Sequence, residues 1–247
     1  MVERVKKIDA ITLIQPSSLS IEYGEYYDRK IAIARKKLGV AGESSIVLIE
    51  SQGHVVLIDT GFRNERNISK ENLESNKRHV EAAFSAYKYS TSDVEEIFVT
   101  HWHHDHVGNA PLFPSAVLRY GAPPNISLQA IMEEYSITNT ARQLDPADEW
   151  VPGVSVFSTP GHNEHHHSVL VHYEDLTIVI AGDCIVSQSY YDNDAVWKYN
   201  GDFYSEKMAI QSMKKIIQTA DLIIPGHGHP FQNYKKAWPD GQDGRGP

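Results

Sequence analysis

Between Thr100 and Gly108 the chain reads Thr-His-Trp-His-His-Asp-His-Val-Gly, which puts four histidines and one aspartate into the six positions from His101 to His106. Neutral imidazole and carboxylate are ligands for zinc and related divalent ions, whereas a soft thiolate site needs cysteines, and this chain has one, Cys184. His101 and His103 are two positions apart, so both can project from the same side of extended chain. Asp105 and His106 follow where the chain turns. The apolar triplet Ile97-Phe98-Val99 just before them reads as a buried strand, so the cluster belongs to the loop leaving that strand. The bland alternative is a histidine-rich polar surface loop.

The surrounding elements place more ionisable groups at strand ends. Residues 8–14 are apolar enough for a strand, and residues 46–50 with 54–58 read as a hairpin across Ser51-Gln52-Gly53, ending at Asp59-Thr60-Gly61. Val80, Ala83, Phe84 and Tyr87 recur with helical spacing within residues 72–89 and predict one buried helix face. Strands are expected at 116–119 and 154–158, the latter running into Thr159-Pro160-Gly161-His162, with a polar, partly helical excursion over 123–150 between them. A second hairpin, 169–173 with 177–181, leads to Gly182-Asp183. Ser205 can cap a helix to about Thr219 with Ala209, Met213, Ile216 and Ile217 inward, and a last strand at 222–224 ends in Pro225-Gly226-His227-Gly228. If these strands lie side by side, Asp59, His101, His103, Asp105, His106, His162, Asp183 and His227 converge on one sheet edge.

Bulk composition narrows the partners. With 247 residues, 41% of them hydrophobic, the simplest organisation is a single domain over 1–237, followed by a flexible Gly-, Pro- and Asp-containing tail at 238–247. The formal net charge of −9 opposes long-range attraction to nucleic acid or an anionic membrane. A single cysteine makes no internal disulfide, and no apolar stretch reaches signal-peptide or membrane-spanning length; both predict a cytoplasmic protein. Residues 15–45, with the basic run 29–37, are too long for a simple turn and predict a lid or a dimer arm.

Taken in order, Leu57-Ile58-Asp59-Thr60-Gly61, Thr-His-x-His-x-Asp-His, Thr-Pro-Gly-His, Ala-Gly-Asp and Pro-Gly-His-Gly resemble the signature of the metallo-β-lactamase superfamily of hydrolases, over residues 45–231. The resemblance implies an α/β, four-layer αββα sandwich with the metal site at one edge of its two sheets. Carried over position by position, it implies His101, His103 and His162 on a first metal, Asp105, His106 and His227 on a second, and Asp183 bridging them. Asp59 would orient the histidine loop from behind. Two divalent cations are implied, zinc first, with iron, manganese or cobalt as alternatives, and a bridging hydroxide as nucleophile.

Departures from related groups sharpen the expectation. Lactam-cleaving members place cysteine where Asp183 stands, and flavodiiron relatives place glutamate where His103 stands. The chain has no room for the inserted domain of RNA-processing members or the C-terminal substrate region of glyoxalase II-like thioesterases. Lactonases carry a tyrosine shortly after the bridging aspartate; Val186 stands about there, so Tyr190 or Tyr191 is the expected oxyanion-side hydroxyl. Asp105 and Asp183 complete the expected catalytic set.

The predicted activity is hydrolysis of a small-molecule ester, lactone or thioester. A phosphodiesterase or ribonuclease on the same site is the alternative, favoured by similarity of residues 104–109, 112–114 and 226–231 to a small single-domain group of the superfamily. A non-catalytic metal-binding protein is the reading from another class. The aromatic run Tyr190, Tyr191, Trp197, Tyr199, Phe203 and Tyr204 would form a substrate wall or a homodimer contact. His165, His166, His167 and His229 would be solvated or line the pocket, His104 would be a spectator, and Cys184 a packed thiol.

Overall fold

The computed structural model describes residues 8–15, 43–62, 70–124, 127–145 and 149–236. The basic run 29–37, nearly all of the expected lid or arm, and the tail at 238–247 lie outside the described residues.

Strands β1 (Ala10–Gln15), β2 (Ile46–Ser51), β3 (His54–Ile58), β4 (Glu96–Val99), β5 (Val117–Tyr120) and β6 (Ala141–Gln143) form one six-stranded sheet in chain order. The second sheet contains β7 (Glu149–Val151), β8 (Val154–Ser158), β9 (His167–Tyr173), β10 (Leu176–Gly182), β11 (Leu222–Pro225) and β12 (Phe231–Gln232), again in chain order. Pairing is parallel from β3 through β6 and between β10 and β11, and antiparallel elsewhere.

The apolar runs are continuous because each sheet is covered on both faces. Val47, Ile49, Val56, Ile58 and Phe98 on one sheet pack with Val154, Val156, Val169, Val171, Ile180 and Ile224 on the other. The alternate residues Ile46, Leu48, Leu57, Ile97 and Val99 face outward onto Val80 and Phe84 of helix α1 (Lys70–Ala86). On the second sheet, Val179, Ala181 and Ile223 meet Met213 and Ile216 of a long helix, Glu206–Thr219. The period of two in the strands and the helical stripes thus build the layers α, β, β, α. Among the described residues three short α-helices interrupt the loops: α2 (His104–Val107), α3 (Leu128–Glu134) and α4 (Gln188–Asp192); the long helix is therefore α5. Ser205 caps α5, its hydroxyl accepting from Met208 N at 3.3 Å.

Two local expectations are corrected. Tyr87 does not continue the buried stripe of α1: the helix ends at Ala86, Lys88 adopts φ +65°, and Tyr87 is 50% exposed. The excursion over 123–150 also holds two strands too short to show periodicity. One of them, β6, pairs with β5 and the other, β7, with β8, so this segment carries the chain from one sheet to the other.

The parallel pairings set the C-terminal ends of β3, β4, β10 and β11 on one edge, and β8, antiparallel to β9, points the same way. Cross-sheet hydrogen bonds hold that edge together: His167 N donates to Thr100 O at 2.9 Å and Ser45 N to Gly226 O at 2.8 Å.

Candidate metal centre

The residues that follow these strand ends form two donor clusters, His101, His103, His162 and Asp183, and Asp105, His106 and His227, each with ligand atoms within 4.8 Å of one another. Asp183 joins them. Its Oδ2 faces the first cluster, 3.3 Å from His162 Nε2 and 4.0 Å from His101 Nε2. Its Oδ1 faces the second, 3.2 Å from His227 Nε2 and 3.3 Å from His106 Nε2. His103 Nδ1 lies 2.9 Å from His101 Nε2 and 3.1 Å from His162 Nε2, and Asp105 Oδ2 lies 3.5 Å from His227 Nε2.

These spacings fit cations. Ligands at about 2.0–2.1 Å from a tetrahedral ion stand about 3.4 Å from each other. His106 Nε2 and Asp183 Oδ1 are buried and make no hydrogen bond in the protein, an arrangement that costs free energy unless another group satisfies them. The donors are imidazoles and carboxylates, which suit a metal of borderline hardness.

Outer partners fix which nitrogen of each ring points inward. Asp59 follows β3 with φ +55° and accepts at Oδ1 from Thr100 N and at Oδ2 from Thr100 Oγ1, both 2.8 Å. His106 Nδ1 donates to the same Oδ2 at 2.7 Å. With the Thr100 proton committed to Asp59, its Oγ1 accepts from His101 Nδ1 at 3.1 Å. His227 Nδ1 donates to Glu43 O at 3.0 Å. All three rings therefore turn Nε2 to the centre. His103 is reversed: Nδ1 faces inward and Nε2 donates to Asp202 at 2.9 Å.

Electrostatics divide the centre. Burial, reinforced by neighbouring imidazoles, holds His101 well below the ordinary histidine range, and burial takes His162 down to about 4. Both present neutral rings. Burial works in the same direction on His106 and His227, but carboxylates outweigh it: Asp59, Asp183 and Asp105 hold His106 well above the usual range, and Asp183 raises His227. Burial pushes the Asp183 carboxyl up, yet His227, His106 and His162 bring it well below the usual carboxylate range. Three carboxylates therefore face the second cluster, a negative field suited to a divalent cation.

Gly226 permits the close approach of Asp183. A Cβ there would lie 2.2 Å from Asp183 Oδ1. Gly182, before Asp183, has φ +53°, a conformation glycine adopts without steric cost, and a Cβ on it would meet His166 Nε2 at 2.7 Å.

Other sequence candidates lie outside the clusters. Tyr190 and Tyr191, expected as substrate-facing hydroxyls, are 2% and 0% exposed, so neither ring forms an open wall. Tyr191 OH donates to Asn233 Oδ1 and accepts from Lys235 N, both at 2.7 Å, while its ring packs on Phe231 and Tyr234. It is a core clamp. His166 stacks behind His101 and bonds Thr159 Oγ1 through Nδ1 at 2.8 Å, and His167 packs on Gly121. His104 meets the edge of Phe62, His229 is exposed, and Cys184 is buried.

Sequence reasoning missed Asp202, Asn200, Thr100 and Tyr135. Asn200 and Asp202 lie within the segment singled out only for its aromatics, and nothing in their spacing pointed to His103. Tyr135 follows α3; burial first, then the carboxylates of Glu134, Asp105 and Asp202, push its hydroxyl up to about 12. It stays protonated, and of the cluster residues Asp105 is the one whose charge reaches it.

A family model of the metallo-β-lactamase superfamily matches residues 39–117. The rat metallo-β-lactamase domain-containing protein 1 is 28% identical over 210 residues, spanning 82% of this chain and 72% of the relative. A Thermotoga maritima protein assigned to the metallo-β-lactamases has 20% identity and a TM-score of 0.63, over 92% of this chain and 99% of that one. The B. thuringiensis protein AiiA, solved with N-decanoyl-L-homoserine at its active site, has 16% identity and a TM-score of 0.59, over 90% and 93%. Together these similarities support a metallo-β-lactamase superfamily protein. It is a metal-dependent hydrolase of that fold. Among the described residues no helix is long and apolar enough to cross a membrane.

Proposed function

We propose that this metal-dependent hydrolase opens an ester, lactone or thioester of a small molecule at a dinuclear centre, with His101, His103 and His162 holding one cation, Asp105, His106 and His227 the other, and Asp183 shared. The observation that carries the reading is the division of Asp183, one oxygen toward each cluster at 3.2–3.3 Å. Zinc is the expected metal for both positions, since imidazole and carboxylate suit it. When bound, two such cations supply a water ionised near neutral pH and a Lewis acid for charge developing on the substrate oxygen.

The chain's own groups do the rest. Asp105 stays ionised despite burial, because His106 and His227 outweigh it, and its carboxylate can take up a proton beside the reacting centre. Asp59 and Thr100 hold the histidine loop so that ring nitrogens face inward. A lactone substrate is supported by the fold neighbour solved with an acyl-homoserine at its active site. The excess of acid over base in this chain, −9, weighs against a polyanion.

The test is hydrolysis of a matched panel of lactones, thioesters, a phosphodiester and short RNA by the zinc-loaded protein and Asp183→Asn. A carbonyl substrate turned over by the parent alone supports the proposal. Turnover of the phosphodiester alone would replace it, and full activity with two bound metals in Asp183→Asn would sink the bridged centre.

A further inference from the structure

His103 differs from the other histidines of the two clusters. It presents Nδ1 to the centre, its side chain is 25% exposed, and its outer nitrogen points to a carboxylate that no strand end supplies. That carboxylate, Asp202, lies in the loop between α4 and α5. Its Oδ1 accepts from His103 Nε2 at 2.9 Å and from Asn200 Nδ2 at 2.7 Å. Asn200 Nδ2 also donates to His162 O at 3.0 Å, and Tyr204 N and Ser205 N both donate to Gly161 O, at 3.2 and 3.1 Å. Residues 200–205 are thus tied to the backbone that carries His162 and to the ring of His103. The fold contains no other carboxylate contact recorded for His103 Nε2 among the described residues.

We propose that Asp202 is the positioning residue for the first cation: it fixes the His103 ring with the proton on Nε2 and the lone pair of Nδ1 aimed between His101 and His162. The inference rests on the assignment of His103 as a ligand made above. The physical need follows from exposure. His101 and His162 are enclosed by protein, and His101 is also held through Nδ1 by Thr100, whereas a partly exposed His103 can rotate or bond water through either nitrogen. A carboxylate on the outer N–H removes that freedom and makes the inner nitrogen a better donor, and losing such a partner typically costs about 10- to 100-fold in metal affinity. Asn200 stops Asp202 from swinging into solvent, which matters because the Asp202 side chain is itself 48% exposed.

The experiment is zinc titration of the full chain against a chromophoric chelator, with cobalt substitution as a spectroscopic readout of ligand geometry. The variants are Asp202→Ala, Asp202→Asn and the neighbouring Gly201→Ala, whose added Cβ would meet nothing within 4 Å. Thermal unfolding of the metal-free proteins reports folding. The expected result is a parent that binds two equivalents. Asp202→Ala then keeps one equivalent at parental affinity, loses about 10- to 100-fold on the other, and changes the cobalt spectrum. Asp202→Asn, which retains an acceptor oxygen, recovers part of the loss, and Gly201→Ala matches the parent. The inference is overturned if Asp202→Ala binds both equivalents as tightly as Gly201→Ala, or if it weakens both equally, which would mark a general loosening of the loop. A parent that binds fewer than two equivalents would refute the dinuclear reading itself, and the inference with it.

Discussion

Gly226→Ala tests the geometry of the shared carboxylate with one methyl group. Gly226 follows β11, and its N–H donates to Gly182 O at 3.0 Å and Ile185 O at 3.1 Å. The added Cβ would lie 2.2 Å from Asp183 Oδ1, 2.8 Å from Gly182 C and 2.9 Å from Gly182 O. Ordinary contact begins at 3.4 Å, so the carboxylate oxygen must withdraw by about 1.2 Å. The other two neighbours are backbone of the residue that ends β10, also closer than 3.0 Å, so the strand end that carries Asp183 must shift along with its side chain. Oδ1 sits 3.2 Å from His227 Nε2 and 3.3 Å from His106 Nε2, so a shift of that size takes it out of the second cluster. A misplacement near 1 Å costs roughly 100-fold in rate, and overpacking adds about 1–3 kcal/mol of destabilisation. The assay combines kcat/KM on the best panel substrate with zinc content after desalting and the Tm of the metal-free protein. A folded Gly226→Ala that retains two zinc ions and a parental rate would refute the argument, because the shared oxygen could then move without consequence.

Two further perturbations separate site from scaffold. Tyr191→Phe should lower stability by about 1–2 kcal/mol, because Asn233 Oδ1 and Lys235 N lose a buried partner, while kcat/KM stays unchanged; a selective loss of kcat would return Tyr191 to the reaction. Glu96 accepts from Arg119 at 2.9 and 2.5 Å and from Trp150 at 2.5 Å; burial raises its pKa, but these hydrogen bonds outweigh it and the net shift is down. A depressed carboxylate contributes stability above its unfolded pKa of about 4.3, and that stability disappears as pH falls through the folded value. Denaturant unfolding should therefore show Glu96→Gln less stable than the parent by ~1 kcal/mol at neutral pH, after allowance for solvent screening, with the gap closing in acid. A gap that persists unchanged to pH 3 would show that packing, not charge, sets it.

Which parts of this protein could be read from its sequence follows from how far each residue's partner lies from a periodic element. Val47, Ile49, Ile46 and Leu48 fall in one unbroken apolar run, and such a run is what a strand covered on both faces requires, so the buried strands were legible. The donor residues were legible for a related reason: each lies within seven residues of the end of such a strand, and the strand directions bring those ends to one edge. Tyr87 matched the helical period but lies one residue beyond Ala86, where the chain turns at Lys88, because periodicity carries no information about where a helix stops. Proximity in sequence to Asp183 does not give proximity in space for Tyr191: α4 turns it back toward Asn233, 42 positions later. Asp202 is the opposite case, 99 positions from His103 and within hydrogen-bond reach of it. Its signal is a single carboxylate in a polar loop, which no pattern distinguishes from a solvated one. The ligands of a metal centre are therefore written in the strands, whereas the groups that orient those ligands come from loops and depend on three-dimensional closure.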